Sequence, residues 1–352
     1  MIDKMNLKPE TRNSKLRMPA EWEKQSFVQL TFPHKNTDWA YMLDEVTECF
    51  VNIAREIAKR EKLLVVCADE KEVKPKLKDL NQENIMYVEI PSNDTWARDH
   101  GGITVIKNGK PAILDFTFNG WGMKFTASLD NQITRKLFDK NIFPGNVKYK
   151  NRLKFILEGG SIESDGKGTI LTTSECLLSE NRNNLSKEKI EKKLKKYLGA
   201  EHILWLNHGY LLGDDTDSHI DTLARFCSEN TIAYVKCEDE SDEHYEELKK
   251  MEEELLNLPF LKERVKMKFI PLPMADAVYD ENGERLPATY ANFLIINDAV
   301  LVPTYNSPKD EIAKRQLQKA FPDREIVGVD CTALIKQHGS LHCVTMQYPN
   351  FS

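Results

Sequence analysis

The stretch MLDEVTECFVNIAREIAKREKLLVVC, residues 42–67, decides the fold class. In its first part, apolar residues recur at steps of three and four, which is typical of the buried face of an amphipathic helix. These residues are Leu43, Val46, Phe50, Ile53 and Ile57. The apolar run from Leu63 to Cys67 follows closely and predicts a buried strand. Because a helix leads directly into a strand, the stretch favours an α/β protein.

The same alternation continues along the chain. Predicted strands are 85–90, 103–106, 112–116, 202–206, 231–236, a pair within 292–303 that turns at Asn297-Asp298, and 325–329. Predicted helices are 71–80, 187–198, 242–257 and 310–320, and residues 93–99 are predicted as a loop. Asn108-Gly109 suits a tight hairpin, because both residues accept positive φ. No Gly/Ser-rich or Pro-rich linker divides the chain, so we expect one catalytic α/β domain over residues 1–352, with a flexible N-terminus at 1–17.

Five polar clusters follow strand-like runs at loosely regular intervals. They centre on Asp99, Glu158, His219, Asn292 and Cys343, which are 59, 61, 73 and 51 residues apart. Five similar units around a ring would bring these clusters together at an axis. An ordinary α/β chain also places polar loops at strand ends at such intervals, so the spacing alone leaves both arrangements open.

Composition and charge narrow the class of protein. The chain has 49 Lys+Arg and 55 Asp+Glu, a formal charge of −6, and its basic residues form no single stripe, which argues against nucleic acid as a partner. No apolar run approaches the ~20 residues of a membrane span, and the N-terminal sequence lacks the apolar stretch of a secretory signal. We therefore expect a cytoplasmic protein whose seven cysteines are reduced thiols.

Two segments carry residues suited to chemistry. Cys343 follows a Gly-Ser turn, and it would act as a nucleophile if its surroundings favoured the thiolate; the alternative is a buried core thiol. Residues 213–226 place four carboxylates around His219 within nine positions. In a strand, His219 and Asp221 would point the same way. This segment fits a catalytic cluster, a solvated acidic loop or a Zn²⁺ or Mn²⁺ site.

Two further carboxylates lie next to glycine pairs. Asp99 follows Trp96 and precedes Gly101-Gly102, and Glu158 precedes Gly159-Gly160. Paired carboxylates match the planar fork of a guanidinium, and an aromatic wall such as Trp96 and Trp121 suits a cationic ligand. The loops together therefore indicate a small cationic guanidinium substrate.

As a set, these motifs closely resemble those of the agmatine deiminase family, which includes bacterial peptidylarginine deiminases and belongs to the guanidine-modifying superfamily. The resemblance runs from about Met18 to the C-terminus. It rests on Trp96-x-Arg98-Asp99-x-Gly101, Glu158-Gly159-Gly160-Ser161, Gly213-Asp214-Asp215-Thr216-Asp217-x-His219-x-Asp221, Pro287-Ala288-Thr289-Tyr290-Ala291-Asn292-Phe293 and His342-Cys343-x-Thr345. It implies the five-bladed, pseudo-symmetric ββαβ propeller of the pentein fold. Ser218 stands where that family usually has glycine.

The resemblance also implies a role for each reacting residue. Cys343 attacks the guanidinium carbon, and His219 protonates the departing ammonia and then activates water. Asp99 and Asp221 clamp the guanidinium nitrogens, and Glu158 orients His219. The reaction needs neither metal nor cofactor, and homo-oligomerisation is left open.

The expected reaction is agmatine + water → N-carbamoylputrescine + ammonia, a step toward putrescine. Residues expected to bind the rest of the substrate are Trp96, Trp121, Asp215, Asp217 and Asn292. Arg98 is expected to be a structural partner of the pocket carboxylates.

Three other functions stay open. A deiminase of free or peptidyl arginine would use the same reacting groups. A metal-dependent hydrolase would be built on His219, Asp221, Asp214 and Asp215 and would lose activity with chelators. A silent polyamine-binding protein would tolerate Cys343→Ala.

Overall fold

The computed structural model describes residues 16–264 and 266–351. Residues 1–15 of the predicted flexible N-terminus lie outside the described residues. The last two residues of that segment, Leu16 and Arg17, form a short strand that pairs with residues 106–107. No helix in the described part of the chain is long and apolar enough to cross a bilayer.

Nineteen strands are present in the described part of the chain. They are β1 (Leu16–Arg17), β2 (Gln25–Thr31), β3 (Lys62–Cys67), β4 (Ile85–Glu89), β5 (Ile103–Lys107), β6 (Lys110–Thr117), β7 (Lys148–Ile156), β8 (Ile162–Ser164), β9 (Thr169–Thr173), β10 (His202–Leu206), β11 (Ala224–Ser228), β12 (Thr231–Lys236), β13 (Lys268–Pro273), β14 (Val278–Tyr279), β15 (Arg285–Leu286), β16 (Leu294–Ile296), β17 (Ala299–Thr304), β18 (Glu325–Asp330) and β19 (Thr345–Pro349).

Helical segments lie between these strands. They are α1 (Leu43–Ala58), α2 (Glu70–Val73), α3 (Ala97–His100), α4 (Gly120–Met123), α5 (Ile133–Asp139), α6 (Ser174–Leu177), α7 (Lys187–Leu198), α8 (Tyr245–Asn257), α9 (Pro259–Glu263) and α10 (Lys309–Ala320). Single 3-10 turns occur at Ala40–Met42, Lys74–Leu77, Gln82–Asn84, Asp130–Gln132, Gly159–Ser161, Ile220–Thr222 and Leu334–Gln337.

Five of the sheets share one pairing pattern, in which a middle strand is antiparallel to one neighbour and parallel to the other. The strand triplets are β5-β6-β7, β8-β9-β10, β11-β12-β13, β16-β17-β18 and β19-β2-β3. In each triplet, helical chain connects the two parallel strands, as a parallel crossover requires. The outer strands β1 and β4 extend two of these sheets, and β14 and β15 form a separate pair.

The predicted alternation of helices and strands is confirmed over most of its length. In α1, four residues of the predicted stripe, Val46, Phe50, Ile53 and Ile57, are fully buried, Leu43 is half-buried, and β3 follows the helix. Asn108 and Gly109 adopt φ values of 57° and 70° at the turn between β5 and β6, as the tight hairpin requires.

Two local predictions are wrong. Residues 71–80 do not form one helix, because Pro75 lies where α2 gives way to the 3-10 turn Lys74–Leu77. The predicted loop 93–99 contains the start of α3, a single helical turn that carries Arg98 and Asp99. Both differences concern segments too short to show helical periodicity.

Candidate active site

Cys343 lies in the turn between the 3-10 segment Leu334–Gln337 and β19 and lines a cavity of about 470 Å³. Its Sγ is 3.4 Å from Oδ1 of Asn292 and 4.0 Å from Oδ2 of Asp221. The backbone N–H groups of His342 and Cys343 both donate to the same Asn292 oxygen, at 2.8 and 3.3 Å. The predicted substrate contact Asn292 is thus placed where it holds the turn that carries the thiol.

Gly339 allows this turn to pack against the aromatic wall. A Cβ at this position would lie 2.1 Å from the ring of Trp96, far inside van der Waals contact. Trp96, which the sequence predicts to contact the substrate, also lines the cavity. Any side chain at position 339 would therefore displace either the tryptophan or the turn that bears Cys343.

Asp99, His219 and Asp221 converge on Gly160. A Cβ on this glycine would lie 2.6 Å from Nδ1 of His219, 2.9 Å from Oδ1 of Asp99 and 3.1 Å from Oδ2 of Asp221. The Gly160 N–H also donates to Oδ1 of Asp99 at 3.0 Å. The glycine pair that the sequence marks as permitting close approach therefore brings three predicted site residues together.

His219 and Asp221 reach this point from a 3-10 turn and not from a strand. His219 immediately precedes the segment Ile220–Thr222, which contains Asp221, so the strand argument for their shared direction is wrong. Just before them, Ser218 adopts a φ of 59°, in the left-handed region. Glycine adopts this conformation without strain, which accounts for the residue usual at this position in the family that the sequence resembles.

His219 lies between two buried carboxylates. Its Nδ1 is 3.7 Å from Oδ1 of Asp99, and its Nε2 is 3.8 Å from Oε2 of Glu158. Burial lowers the pKa of His219, but the charge of Asp99 and the close contacts with Cys176 and Glu158 raise it well above its usual value. The imidazole is therefore a cation near neutral pH, as a proton donor for a leaving group needs to be.

The carboxylates of the site differ in how firmly they stay ionised. Burial raises the pKa of Asp99 to about 6; His219 opposes this rise, and Asp221 adds to it. Burial also acts on Asp221, but the hydrogen bond from His342 and the charge of His219 hold its pKa below the usual value. His342 donates from Nδ1 to Oδ2 of Asp221 at 2.7 Å.

The environment of Cys343 disfavours the thiolate. Burial raises the pKa of this thiol well above its usual value, and the nearby charges of Asp221 and Asp99 raise it further. An unoccupied site therefore holds a neutral thiol. A cation placed between the two carboxylates would remove the repulsion.

Two buried polar atoms at the centre of the site have no hydrogen-bond partner among the described residues. They are Oδ1 of Asp221 and Nε2 of His219. An unpaired buried carboxylate oxygen is costly, so a donor bound at this oxygen would stabilise the site. Asp221 is fully buried and lies next to the Cys343 thiol.

The remaining predicted substrate contacts divide into two groups. Trp121 and Asp215 line the cavity. Asp217 is not among the lining residues; its Oδ1 accepts from Lys124 at 2.6 Å and its Oδ2 from Arg182 at 2.5 Å. The structure thus places Asp217 behind the cavity wall, where two cations already balance its charge.

Sequence reasoning missed several lining residues, including three carboxylates: Asp38, Asp94 and Asp130. It also missed Lys124 and His338, which line the same cavity. Burial raises the pKa of both Asp94 and Asp130 to about 7. Asp94 belongs to the same loop as Trp96 and Asp99, and this proximity in the sequence was the one available signal.

Arg98 points away from the pocket carboxylates. Its Nη1 donates to Oε1 of Glu21 at 3.0 Å. Glu21 also accepts from Arg225 at 2.5 Å and lies 2.9 Å from Nε2 of His342. Arg98 is therefore a structural partner, as expected, but of Glu21 and not of the carboxylates that face the cavity.

The set required by a metal-dependent hydrolase is not assembled. Asp214 accepts from Thr216 and from the Ser218 N–H within its own loop. In the described part of the chain, two groups of possible ligand atoms do cluster, Glu158 with Cys176 and His219, and Glu21 with Glu163 and His342. Arginines already neutralise both groups, Arg182 at Glu158 and Arg225 at Glu21 and Glu163.

Comparisons with known proteins agree with this geometry. A family model for the Porphyromonas-type peptidyl-arginine deiminases matches residues 17–349. A solved Porphyromonas gingivalis protein named "putative arginine deiminase" is 56% identical, with a TM-score of 0.91 over 96% of this chain and 99% of that chain. A substrate-bound cysteine-to-serine variant of C. jejuni agmatine deiminase is 40% identical, with a TM-score of 0.89 over 98% of this chain and 99% of that chain.

A similar result comes from sequence alone. A Mycoplasma capricolum subsp. capricolum protein named "putative agmatine deiminase" is 33% identical over 372 residues, which cover 99% of both chains. The shared mixed α/β fold and these relatives define a hydrolase of carbon–nitrogen bonds in amidines and guanidines. The chain belongs to the Porphyromonas-type peptidyl-arginine deiminase family.

Proposed function

We propose that this protein is an agmatine deiminase that converts agmatine and water into N-carbamoylputrescine and ammonia. The observation that carries the proposal is the unpartnered Oδ1 of Asp221, buried beside the Cys343 thiol. A guanidinium is a planar cation with N–H donors along its edges, so it supplies both the missing donor and the missing positive charge.

The first half of the reaction forms a bond to sulfur. Guanidinium binding between Asp99 and Asp221 offsets the charges that suppress the Cys343 thiolate, and the thiol proton leaves to water in the cavity. The thiolate attacks the guanidinium carbon. His219 gives its proton to one nitrogen, which departs as ammonia and leaves a covalent S-alkylthiouronium cation.

The second half releases the product. His219, now neutral, takes a proton from water as the water oxygen attacks the thiouronium carbon. The carbon–sulfur bond then breaks, which returns Cys343 as a thiolate, and the added oxygen loses its remaining proton to solvent, which forms the neutral urea group of N-carbamoylputrescine. Glu158, 3.8 Å from Nε2 of His219, stabilises the imidazolium at both stages.

The charge of the cavity supports agmatine over arginine. Aspartates at positions 38, 94, 130 and 215 line it, with Lys124 and His338 as the basic lining residues. The distal ammonium of agmatine is attracted by this surface, whereas the α-carboxylate of arginine is repelled. Agmatine is also the substrate named for the C. jejuni relative, although the P. gingivalis relative is named for arginine.

The proposal also extends to the complete fold and to the pathway. The five strand triplets, each with a helical crossover, support a five-bladed ββαβ propeller whose blades meet at the site as one catalytic domain. The product N-carbamoylputrescine would lead toward putrescine, so the proposal places the enzyme in putrescine biosynthesis.

Product analysis tests the proposal. Purified protein is incubated with agmatine, free arginine or a peptide with an internal arginine, with and without EDTA, and ammonia and ureido products are measured. We expect N-carbamoylputrescine from agmatine, undiminished by EDTA. Turnover of arginine or of the peptide in preference to agmatine would overturn the substrate assignment.

Two cysteine variants test the nucleophile. Cys343→Ser should abolish turnover, because a hydroxyl is a far weaker nucleophile at neutral pH. Cys227→Ser is the matched control: its thiol is equally buried, but it does not line the cavity. Activity that survives in Cys343→Ser would refute the covalent mechanism.

A further inference from the structure

Arg182 connects two parts of the site from behind. It follows α6, and its side chain is fully buried. Its Nε donates to both oxygens of Glu158, at 3.0 and 2.9 Å. Its Nη1 donates to Oδ2 of Asp217 at 2.5 Å, and its Nη2 to the backbone oxygen of Thr216 at 2.8 Å. One guanidinium therefore joins Glu158 to the loop that leads into His219.

We propose that Arg182 is a positioning residue for deimination: it holds the Glu158 carboxylate against His219 and, through Thr216 and Asp217, fixes the loop that carries His219. The inference rests on the proposed function and adds a residue that acts on the reaction through its neighbours. Lys124, which also pairs with Asp217 at 2.6 Å, extends the same set of contacts to the cavity wall.

The need for Arg182 follows from the burial of Glu158. An ionised carboxylate without exposure is unfavourable unless it is paired. Burial raises the pKa of Glu158, but His219 and Arg182 outweigh it and hold the pKa below its usual value. The other groups that face His219 carry negative charge or can acquire it: Asp99, Asp221 and Cys176.

Loss of Arg182 has a defined sign. In the wild-type protein, Glu158 is a carboxylate and His219 is an imidazolium. Removal of the neighbouring cation makes proton uptake by Glu158 easier, so this step moves to higher pH. A protonated Glu158 no longer stabilises the imidazolium, and turnover is lost on the acid side. A purely structural arginine would change the amount of folded enzyme without moving the acid limb of the pH profile of kcat.

The test compares Arg182→Met with Arg182→Lys by the pH dependence of kcat for agmatine. In Arg182→Met we expect kcat to fall at least about tenfold and its acid limb to move up by at least about one pH unit. Arg182→Lys keeps the charge, so its acid limb stays at the wild-type pH, although kcat falls because an ammonium cannot make the forked contacts.

Arg264→Met is the matched control, because Arg264 pairs with the buried Asp165 away from the cavity. It should leave the pH profile of kcat unchanged. If Arg182→Met fails to fold, Arg182→Lys decides alone. The inference would be overturned if Arg182→Lys kept the wild-type kcat. It would also be overturned if the acid limb of Arg182→Lys moved up by as much as we expect for Arg182→Met. An unmoved limb in folded Arg182→Met would do the same.

A measurement without turnover separates this inference from the proposed function. In ¹⁵N-histidine-labelled Cys343→Ser protein, the ring nitrogens of His219 report protonation of their neighbours, and the signal is assigned by its absence in His219→Asn. The change in these signals that reports protonation of Glu158 should move to higher pH when Arg182→Met is added. A step that stays in place refutes the role of Arg182, whereas failure of wild-type protein to convert agmatine refutes only the proposed function.

Discussion

The indole N–H of Trp121 donates a hydrogen bond of 3.0 Å to Oδ2 of Asp99. Trp121 lies in α4, where Gly120, Trp121, Gly122 and Met123 all have positive φ, so this segment is a left-handed turn and not an ordinary helix. Such a conformation is unfavourable for tryptophan and methionine, and strain of this kind is concentrated at functional sites. The turn presents the indole to a carboxylate that we propose binds the guanidinium.

Replacement of Trp121 tests this relationship. Trp121→Phe keeps an aromatic wall but leaves Oδ2 of Asp99 without its donor, a loss of about 1–3 kcal/mol for a buried acceptor. We expect kcat/KM for agmatine to fall by about tenfold or more. Trp205→Phe is the control, since that indole donates to Glu191 and does not line the cavity. Equal activity of both variants would contradict the role of the hydrogen bond.

The pH dependence of kcat/KM tests the state of Asp99 in the free enzyme. Burial raises the pKa of Asp99 to about 6. As the pH falls through 6, the carboxyl group takes up a proton and loses its attraction for the guanidinium, so kcat/KM should fall about tenfold per pH unit below that point.

This limb should be weaker in kcat, because a bound cation keeps Asp99 ionised. It should persist in Asp215→Asn, which removes the other cavity carboxylate whose pKa is raised to about 6. An acid limb near pH 4 would show that Asp99 is ionised more readily than its burial implies.

Asp221→Asn should have opposite effects on alkylation and on turnover. The charge of Asp221 raises the pKa of the Cys343 thiol, so its removal increases the thiolate fraction. We expect iodoacetamide to modify Cys343 about tenfold faster for each pH unit by which the pKa falls. Turnover of agmatine should fall by about 100-fold or more, because the guanidinium loses one of the two carboxylates that position it.

Mass spectrometry of the Cys343 peptide measures the rate of alkylation, with the buried Cys227 as an internal reference. If alkylation slows together with turnover, the thiol is not suppressed by its neighbouring carboxylates. The order of events in the proposed mechanism would then need to change.

The sequence predicted those parts of the molecule that local patterns determine. The apolar stripe of α1, the run of β3 and the Asn108-Gly109 turn each depend on neighbouring residues, and all three are confirmed. The resemblance was carried by short motifs that contain the reacting groups. Asp99, His219 and Asp221 meet at Gly160, Asp99 and Cys343 line the cavity, and Glu158 lies beside His219.

The missed parts depend on contacts between distant segments. Arg182 pairs with Glu158, which is 24 residues away in the sequence, and Glu21 lies beside His342, which is 321 residues away. No periodicity marks such partners, because each is selected by the charge that it has to balance once both are buried. The left-handed turn at Trp121 was missed for a related reason: its two glycines permit positive φ, but its contacts hold Trp121 there.

Asp215 provides a test of substrate choice at the far end of the cavity. Asp215 lines the cavity, and its burial and the neighbouring Asp214 raise its pKa to about 6, so it is ionised at pH 8 and available to the distal ammonium of agmatine. Asp215→Asn removes about 1.5 kcal/mol of charge-assisted interaction, which corresponds to about a tenfold rise in KM with little change in kcat. n-Butylguanidine has the same chain without the ammonium, so its KM should be the same for both proteins. An equal rise for both compounds would mean that Asp215 shapes the cavity and does not recognise the amine. The rise for agmatine should also shrink at pH 5, where the wild-type carboxyl group is itself largely neutral.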